Sequence, residues 1–443
     1  MDAVSRQQTG LNLILTNFGH RFITERIKFL TQEQLDNDVL TRLLCQVLQE
    51  KTIAVSSASD YDEIVNAGYL EVIGQIDEAA IDFRYKTNPL ENISRLIFEF
   101  TTECNFSCAH CRNGSMVKQT EVNIDKLKSI ADTFHLLNIQ RFDFVGGEVS
   151  KYGNGWLELA NYINRRGDKT VTLYTNGWWL ESADFEAAGK CYRNDAEYLS
   201  DLKQNGVTHV LFSIDGHEER HDQSRKQKGL YQKIISSFNR IKEAGIKPRI
   251  SALIHDVLET DTVVSFVDIA TRIYDLPADM GVMAKLDTLI QDTTNQFSHF
   301  IDIGNGVKLR KNRKKISDIP LHLLRCKAFY RPSPSLRIMA NGNLSVCPLL
   351  DAGEGYGNVH ELDIMDILNN FQDSFAYKLH AGKEISSYLK YLDQNVFGEH
   401  FDHLCAIRAI LTLLAKEINS AGPLNPGMLL EFNRKIARYS GHE

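Results

Sequence analysis

The chain has 443 residues, 43% of them hydrophobic and 24% charged, with a formal net charge of −7. That composition is ordinary for a folded protein of two or three domains, and a net negative chain is poorly suited to coating nucleic acid. No apolar run approaches the ~18 residues of a membrane span, and Met1-Asp2-Ala3-Val4-Ser5-Arg6 lacks the layout of a signal peptide. Eight cysteines, three of them in one loop, suit metal ligation in a reducing cytoplasm better than a disulfide framework.

Residues 1–90 read as a separate, mostly helical extension. Leu40, Leu43, Leu44, Val47 and Leu48 recur on one helical face, with Cys45 among them as a small buried hydrophobe. Residues 56–62 are a loop by their Ser and Asp content, followed by a short apolar segment at 69–73. From 91 to 290 strand and helix patterns alternate. Strands are expected at 95–101, 141–145, 170–175, 208–214, 248–254 and 280–286, with helices at 124–137, 156–164, 197–204, 231–244 and 263–274. Six parallel strands joined by crossover helices make a partial α/β barrel, whose working loops follow the C-terminal strand ends.

The first of those strands runs into Cys104-Asn105-Phe106-Ser107-Cys108-Ala109-His110-Cys111. Three thiolates at C-x3-C-x2-C spacing in a tight loop can ligate three corners of a cubane iron–sulfur cluster, leaving the fourth iron open to a small chelating molecule. A structural zinc would use the same residue type but normally takes four ligands, and no second C-x2-C pair lies nearby. After the second strand comes Gly146-Gly147-Glu148, where two glycines allow close backbone approach and a carboxylate can accept from an ammonium group. The third strand ends in Thr175-Asn176-Gly177 and the fourth in Ser213-Ile214-Asp215-Gly216. Arg225 follows, ahead of a helix, and its guanidinium could bind a carboxylate bidentately. Trp178 and Trp179 read as core aromatics, and Cys191 lies in an insertion after the third strand.

The cysteine triplet and these turns, in this order, resemble the radical S-adenosylmethionine (radical SAM) superfamily. The resemblance implies a partial (β/α)6 barrel and a 4Fe–4S cluster on Cys104, Cys108 and Cys111. It also implies SAM on the open iron, with His110 against the adenine and Gly146, Gly147, Glu148, Thr175, Asn176, Ser213 and Arg225 around it. The reaction so implied is reductive cleavage of SAM to methionine and a 5′-deoxyadenosyl radical, which abstracts hydrogen from substrate. No acid–base residue can be named from the sequence.

Residues 291–325 read as a linker, and six of the eight residues 308–315 are basic. That run is expected to be solvated, with a phosphate or acidic-peptide contact as the alternative. Cys326, Gly342 and Cys347 form a C-x15-G-x4-C pattern around an Asn341-Gly342 hairpin turn with arms at 336–339 and 343–346. This, with Gly357-Asn358-Val359 and a helical 364–368, resembles the opening of SPASM and twitch domains. The later C-x2-C-x5-C run is absent, and Cys405 is the one cysteine further on. The resemblance therefore implies a small α+β twitch-like domain at 326–443 with an auxiliary 4Fe–4S cluster on Cys326, Cys347 and Cys405. As a bare sequence feature Cys405 could equally be a buried helix residue. Maturases of ribosomally made peptides combine such an extension, barrel and C-terminal domain. They imply a peptide substrate, a leader recognised by the extension or by a separate leader-binding protein, and an electron donor such as flavodoxin or ferredoxin. Cross-linking, epimerisation and excision of a tyrosine-derived fragment all fit. A small-molecule substrate in cofactor or natural-product biosynthesis, and a non-catalytic iron–sulfur scaffold, are the competing readings.

Overall fold

The computed structural model describes residues 11–55, 57–74, 77–86, 88–108, 111, 123–215, 218–252, 300–302, 308–310, 335–345, 355–374 and 377. The extension contains β1 (Leu11–Leu15), α1 (Asn17–Arg26), α2 (Gln32–Asn37), α3 (Val39–Glu50), β2 (Ile53–Val55), α4 (Asp62–Asn66), β3 (Leu70–Ile73) and α5 (Glu78–Lys86). Helices dominate it, as expected, and α3 is the amphipathic helix of the leucine pattern, burying Leu44 and Val47. It also holds a three-stranded antiparallel sheet in the order β2-β1-β3. Strands of three to five residues are too short to show a period of two.

The barrel elements are β4 (Arg95–Glu99), α6 (Ile124–Leu136), β5 (Arg141–Val145), α7 (Gly155–Asn164), β6 (Thr170–Thr175), β7 (Ala183–Ala187), β8 (Lys190–Asn194), α8 (Asp195–Gln204), β9 (His209–Ile214), α9 (Glu218–Arg225), α10 (Leu230–Glu243) and β10 (Lys247–Ala252). Strands β4, β5, β6, β9 and β10 lie side by side in that order, all parallel. The insertion after β6 is an antiparallel hairpin, β7 with β8, that carries exposed Cys191. The expected strand at 280–286 and helix at 263–274 lie outside the described residues. Further on are the antiparallel pair β11 (Phe300–Asp302) and β12 (Lys308–Arg310), so the basic run begins as a strand. After them come β13 (Ser335–Ile338), β14 (Leu344–Ser345) and α11 (Ile364–Asn370). β13 and β14 form the expected hairpin, and β13 pairs parallel with β4, extending the barrel sheet to seven strands. Among the described residues no helix is long and apolar enough to cross a membrane.

Alternation along the parallel strands separates two faces. Leu96, Phe98, Phe100, Phe142, Phe144, Val171, Leu173, Val210, Phe212 and Ile250 enter one apolar core with the helices. Helix α6 supplies Leu127, Ile130, Ala131 and Phe134 to it at helical spacing, and Trp156 of α7 meets Phe144 edge-on at 6.4 Å. The opposite face mixes Ile97, Val145 and Leu211 with buried polar groups. Asp143, 0% exposed, accepts from Arg95 Nη1 at 3.0 Å, Arg141 Nε at 2.8 Å and Tyr174 Oη at 3.1 Å. Burial, and then the cations Arg249, Lys247, Arg141 and Lys203, push His209 down to about 3.

The three regions are tied by specific contacts. Arg21 of α1 is buried and donates to the carbonyls of Leu90 at 3.2 Å and Ile93 at 3.3 Å, just ahead of β4. Thr16 caps α1 by accepting from the Gly19 N–H at 2.9 Å. A second first-turn donor, Phe18 N–H, goes to Asn369 Oδ1 of α11 at 3.0 Å, and Asn369 Nδ2 donates to Gly68 O at 3.3 Å. Asn369→Ala should thus act like loss of a helix cap, costing about 1–2 kcal/mol. A lower urea midpoint with unchanged slope would register it.

His209 supplies a pH test. Its folded pKa is depressed, so its contribution to stability is intact above its ordinary 6.5 and falls as the pH drops from there toward about 3. Stability measured between pH 7 and 5 should decline, and His209→Gln should flatten that decline.

Candidate iron–sulfur and cofactor site

The site sits where β4, β5, β6 and β9 end. Pairing continues one residue beyond β4, with Phe100 N–H donating to Val145 O at 3.0 Å. The chain then runs flat against the turn after β5. Gly147 N–H donates to Thr101 O at 2.7 Å, and Glu148 N–H to Glu103 O at 2.8 Å. A Cβ on Gly146 would stand 2.6 Å from Thr101 O, and one on Gly147 only 1.8 Å from Glu103 O. The two glycines are therefore required by contact with the segment that delivers Cys104.

Glu148 is 0% exposed. One carboxylate oxygen accepts from Ser150 Oγ at 2.6 Å, Thr175 Oγ1 at 2.9 Å and Ser150 N–H at 3.3 Å. The other accepts from Asn176 N–H at 2.8 Å. Burial raises its pKa while these donors act in the opposite direction. These four protein donors hold the carboxylate where the turn after β5 meets the end of β6.

Thr175 and Asn176 belong to the same network. Thr175 Oγ1 also accepts from Gly177 N–H at 3.1 Å and Trp179 Nε1 at 3.2 Å, and Gly177 takes a φ of +80°, a left-handed value that suits glycine. Asn176 Oδ1 accepts from Trp178 N–H at 3.0 Å, which leaves Nδ2 pointing at Cys104 Sγ, 3.6 Å away, and at Asn105 Oδ1, 3.0 Å away. Trp179 is buried, as expected, and Trp178 donates to Ser150 Oγ at 2.8 Å.

Cys104, Cys108 and Cys111 are free thiols. Cys104 is exposed as a residue, yet surrounding protein desolvates its sulfur and pushes the thiol up to about 11. Glu148, Cys108 and Cys111 add to the rise, and Phe106 N–H, 3.4 Å from the sulfur, opposes it. Burial also raises Cys108, against the pull of Arg225. Ser213 lies at the C-terminal end of β9, level with Ser251 of β10. Arg225 closes α9 and stands ahead of α10, as expected, and its Nε pairs with buried Asp215 at 2.5 Å. Burial opposes the guanidinium charge, but Asp215, Cys108 and Cys111 together hold its pKa above the usual value. The expected SAM-carboxylate ligand is thus already engaged through Nε by Asp215, which Asp215's backbone N–H bond to His221 Nδ1 at 3.1 Å helps to orient.

Among the described residues no three ligand-type side chains converge as they would on a single metal ion. A cubane does not require that, since each thiolate takes a different iron. Three free thiols in one loop, an N–H donor pair on one sulfur and a nearby guanidinium fit a negatively charged cluster. His110, Cys326, Cys347 and Cys405 lie outside the described residues. Sequence reasoning missed the Asn176–Cys104 contact and the Asp215–Arg225 pair, although Asp215 stood in the quoted motif.

The Radical SAM superfamily model matches residues 98–273. The chain is 26% identical over 154 residues to the Fe-coproporphyrin III synthase of Methanosarcina barkeri, covering 34% of this chain and 35% of that protein. It is 25% identical over 229 residues to the antilisterial bacteriocin subtilosin biosynthesis protein AlbA of Bacillus subtilis, covering 51% and 45%. The chain thus spans less than half the length of these relatives. Among solved structures, Streptococcus suis SuiB bound to S-adenosylmethionine aligns over 87% of this chain and 92% of its own, with a TM-score of 0.48 and 13% identity.

Gly147→Ala tests the tight contact. It should lower iron uptake in anaerobic reconstitution and cost at least ~1–3 kcal/mol of stability, as overpacking does. Gly153→Ala, where an added Cβ meets nothing within 4 Å, should leave both unchanged. Equal iron content in the two variants would contradict this account of the turn.

Proposed function

From a barrel that belongs to the radical SAM superfamily, we propose that the chain is a cytoplasmic enzyme. It holds a 4Fe–4S cluster on Cys104, Cys108 and Cys111 and acts on a ribosomally made peptide. The observation that carries this reading is the junction of Cys104 with the Gly146–Glu148 turn and with Asn176, at the ends of three adjacent parallel strands. When bound, the cluster and SAM supply a one-electron cleavage that yields a 5′-deoxyadenosyl radical for hydrogen abstraction.

The chain's own residues bind, orient and exclude water. Gly146 and Gly147 let the turn lie against the cysteine loop, and Glu148 locks that turn to the end of β6. Arg225, oriented by Asp215, would offer its remaining guanidinium edge to the SAM carboxylate, with Ser213 as a further SAM contact and His110 against the adenine. At the opposite end of the sheet the Asp143 ion pairs with Arg95 and Arg141 form a closed polar floor. Cys326, Cys347 and Cys405 hold an auxiliary cluster, and a flavodoxin or ferredoxin delivers the electron.

AlbA, named for bacteriocin biosynthesis, matches 51% of the chain, which favours a peptide. The Fe-coproporphyrin III synthase match favours the second reading, a small-molecule substrate. Anaerobically reconstituted protein should carry about eight irons, falling to about four when Cys104, Cys108 and Cys111 are all replaced by Ala. With strong reductant it should release 5′-deoxyadenosine. A short peptide encoded beside this gene should, in the same reaction, change mass or show an inverted residue configuration. Zinc without iron would overturn the cluster assignment, and SAM cleavage with an unmodified peptide would favour the small molecule.

A further inference from the structure

We propose that Asn176 is a positioning residue for the cluster, donating a hydrogen bond from Nδ2 to the Cys104 sulfur and thereby raising the cluster's reduction potential. The inference rests on the reading of Cys104, Cys108 and Cys111 as cluster ligands. Its own support is geometric. An asparagine amide is ambiguous until its partners are known. Here Oδ1 is assigned by the Trp178 N–H, a donor only, at 3.0 Å. Nδ2 is then the group facing Cys104 Sγ at 3.6 Å and Asn105 Oδ1 at 3.0 Å.

The amide is held from behind. Asn176 N–H is bonded to buried Glu148 at 2.8 Å, and the preceding Thr175 hydroxyl to the same carboxylate at 2.9 Å. Its neighbour Asn105 adds a second anchor within the cysteine loop. With the backbone fixed at N, the side chain cannot swing away without breaking its contacts at both Oδ1 and Nδ2. Phe106 N–H reaches the same sulfur at 3.4 Å, so two donors converge on Cys104. Hydrogen bonds to cluster sulfurs spread negative charge and favour the reduced, more negative state.

Two variants separate donation from shape and from charge. Asn176→Asp is isosteric and keeps the acceptor for Trp178 N–H, while Asn176→Ala removes the donor without adding charge. Each holoenzyme is reconstituted anaerobically with Cys326, Cys347 and Cys405 replaced by Ala, so that one cluster remains, and its midpoint potential is read by EPR-monitored redox titration. Both variants should shift to more negative potential at unchanged iron and sulfide content, Asp further than Ala. If Ala fails to hold iron, Asn176→Ser serves, being too short to reach Cys104 yet able to accept from Trp178 N–H. A shift in Asp alone would assign the effect to charge and overturn the proposal. Unchanged potentials with weakened SAM binding would assign Asn176 to the cofactor and overturn it as well. A parent protein with no EPR-active cluster that responds to SAM would instead sink the underlying cluster reading.

Discussion

The carboxylate of Glu148 is surrounded by donors from two different loops, and most of the site's geometry follows from that enclosure. Its backbone N–H is bonded to Glu103 and its side chain to Thr175 and Asn176. One residue therefore connects the segment before Cys104, the turn after β5 and the end of β6. Left unsatisfied, a buried carboxylate is among the costliest groups in a protein interior. The three segments consequently move as a unit or not at all. Such a unit is what a cluster-binding loop needs, because ligands on a free loop would not be held in a productive arrangement.

The two faces of the parallel sheet divide the remaining work. On the helical side, phenylalanines from β4 and β5 stack and meet edge-on, with Phe98 over Phe142 at 6.4 Å and Phe100 against Phe144 at 5.1 Å. That side supplies apolar burial and rigidity. On the other side Asp143 is paired with Arg95, Arg141 and Tyr174, so its buried charge is held in a fixed arrangement. A parallel sheet buried on both faces is usually apolar on both. The departure here is confined to the face that carries Asp143.

Much of the barrel could be read from the chain because its signals are local. The strands beginning at Arg95, Arg141 and Thr170 start where the pattern placed them, and the helix burying Ile130 and Phe134 follows from its spacing. The extension is less legible, since β1 acquires its identity only by pairing with β2 and β3, and Leu13 stands opposite the distant Ile53. Motif residues were legible as types, while their partners were not. Glu148 and Arg225 stand out as candidate cofactor ligands by type, and the folded chain adds the protein partners that orient them, Ser150, Thr175, Asn176 and Asp215. Likewise no spacing rule connects Asn176 to Cys104, because the contact spans two crossovers.

The pairing of β13 with β4 carries a consequence for biogenesis. β4 is the first barrel strand to leave the ribosome, yet the strand that covers its outer edge begins at Ser335. Until then its backbone N–H and C=O groups on that side have no native ladder partner, and an open strand edge is a template for pairing with other chains. Loop closure over that separation adds only a slowly growing entropic cost but delays the contact in time. A ribosome stalled, or a message truncated, before the hairpin would therefore release a barrel with its cysteine strand uncovered, beside the loop that must remain clean for iron.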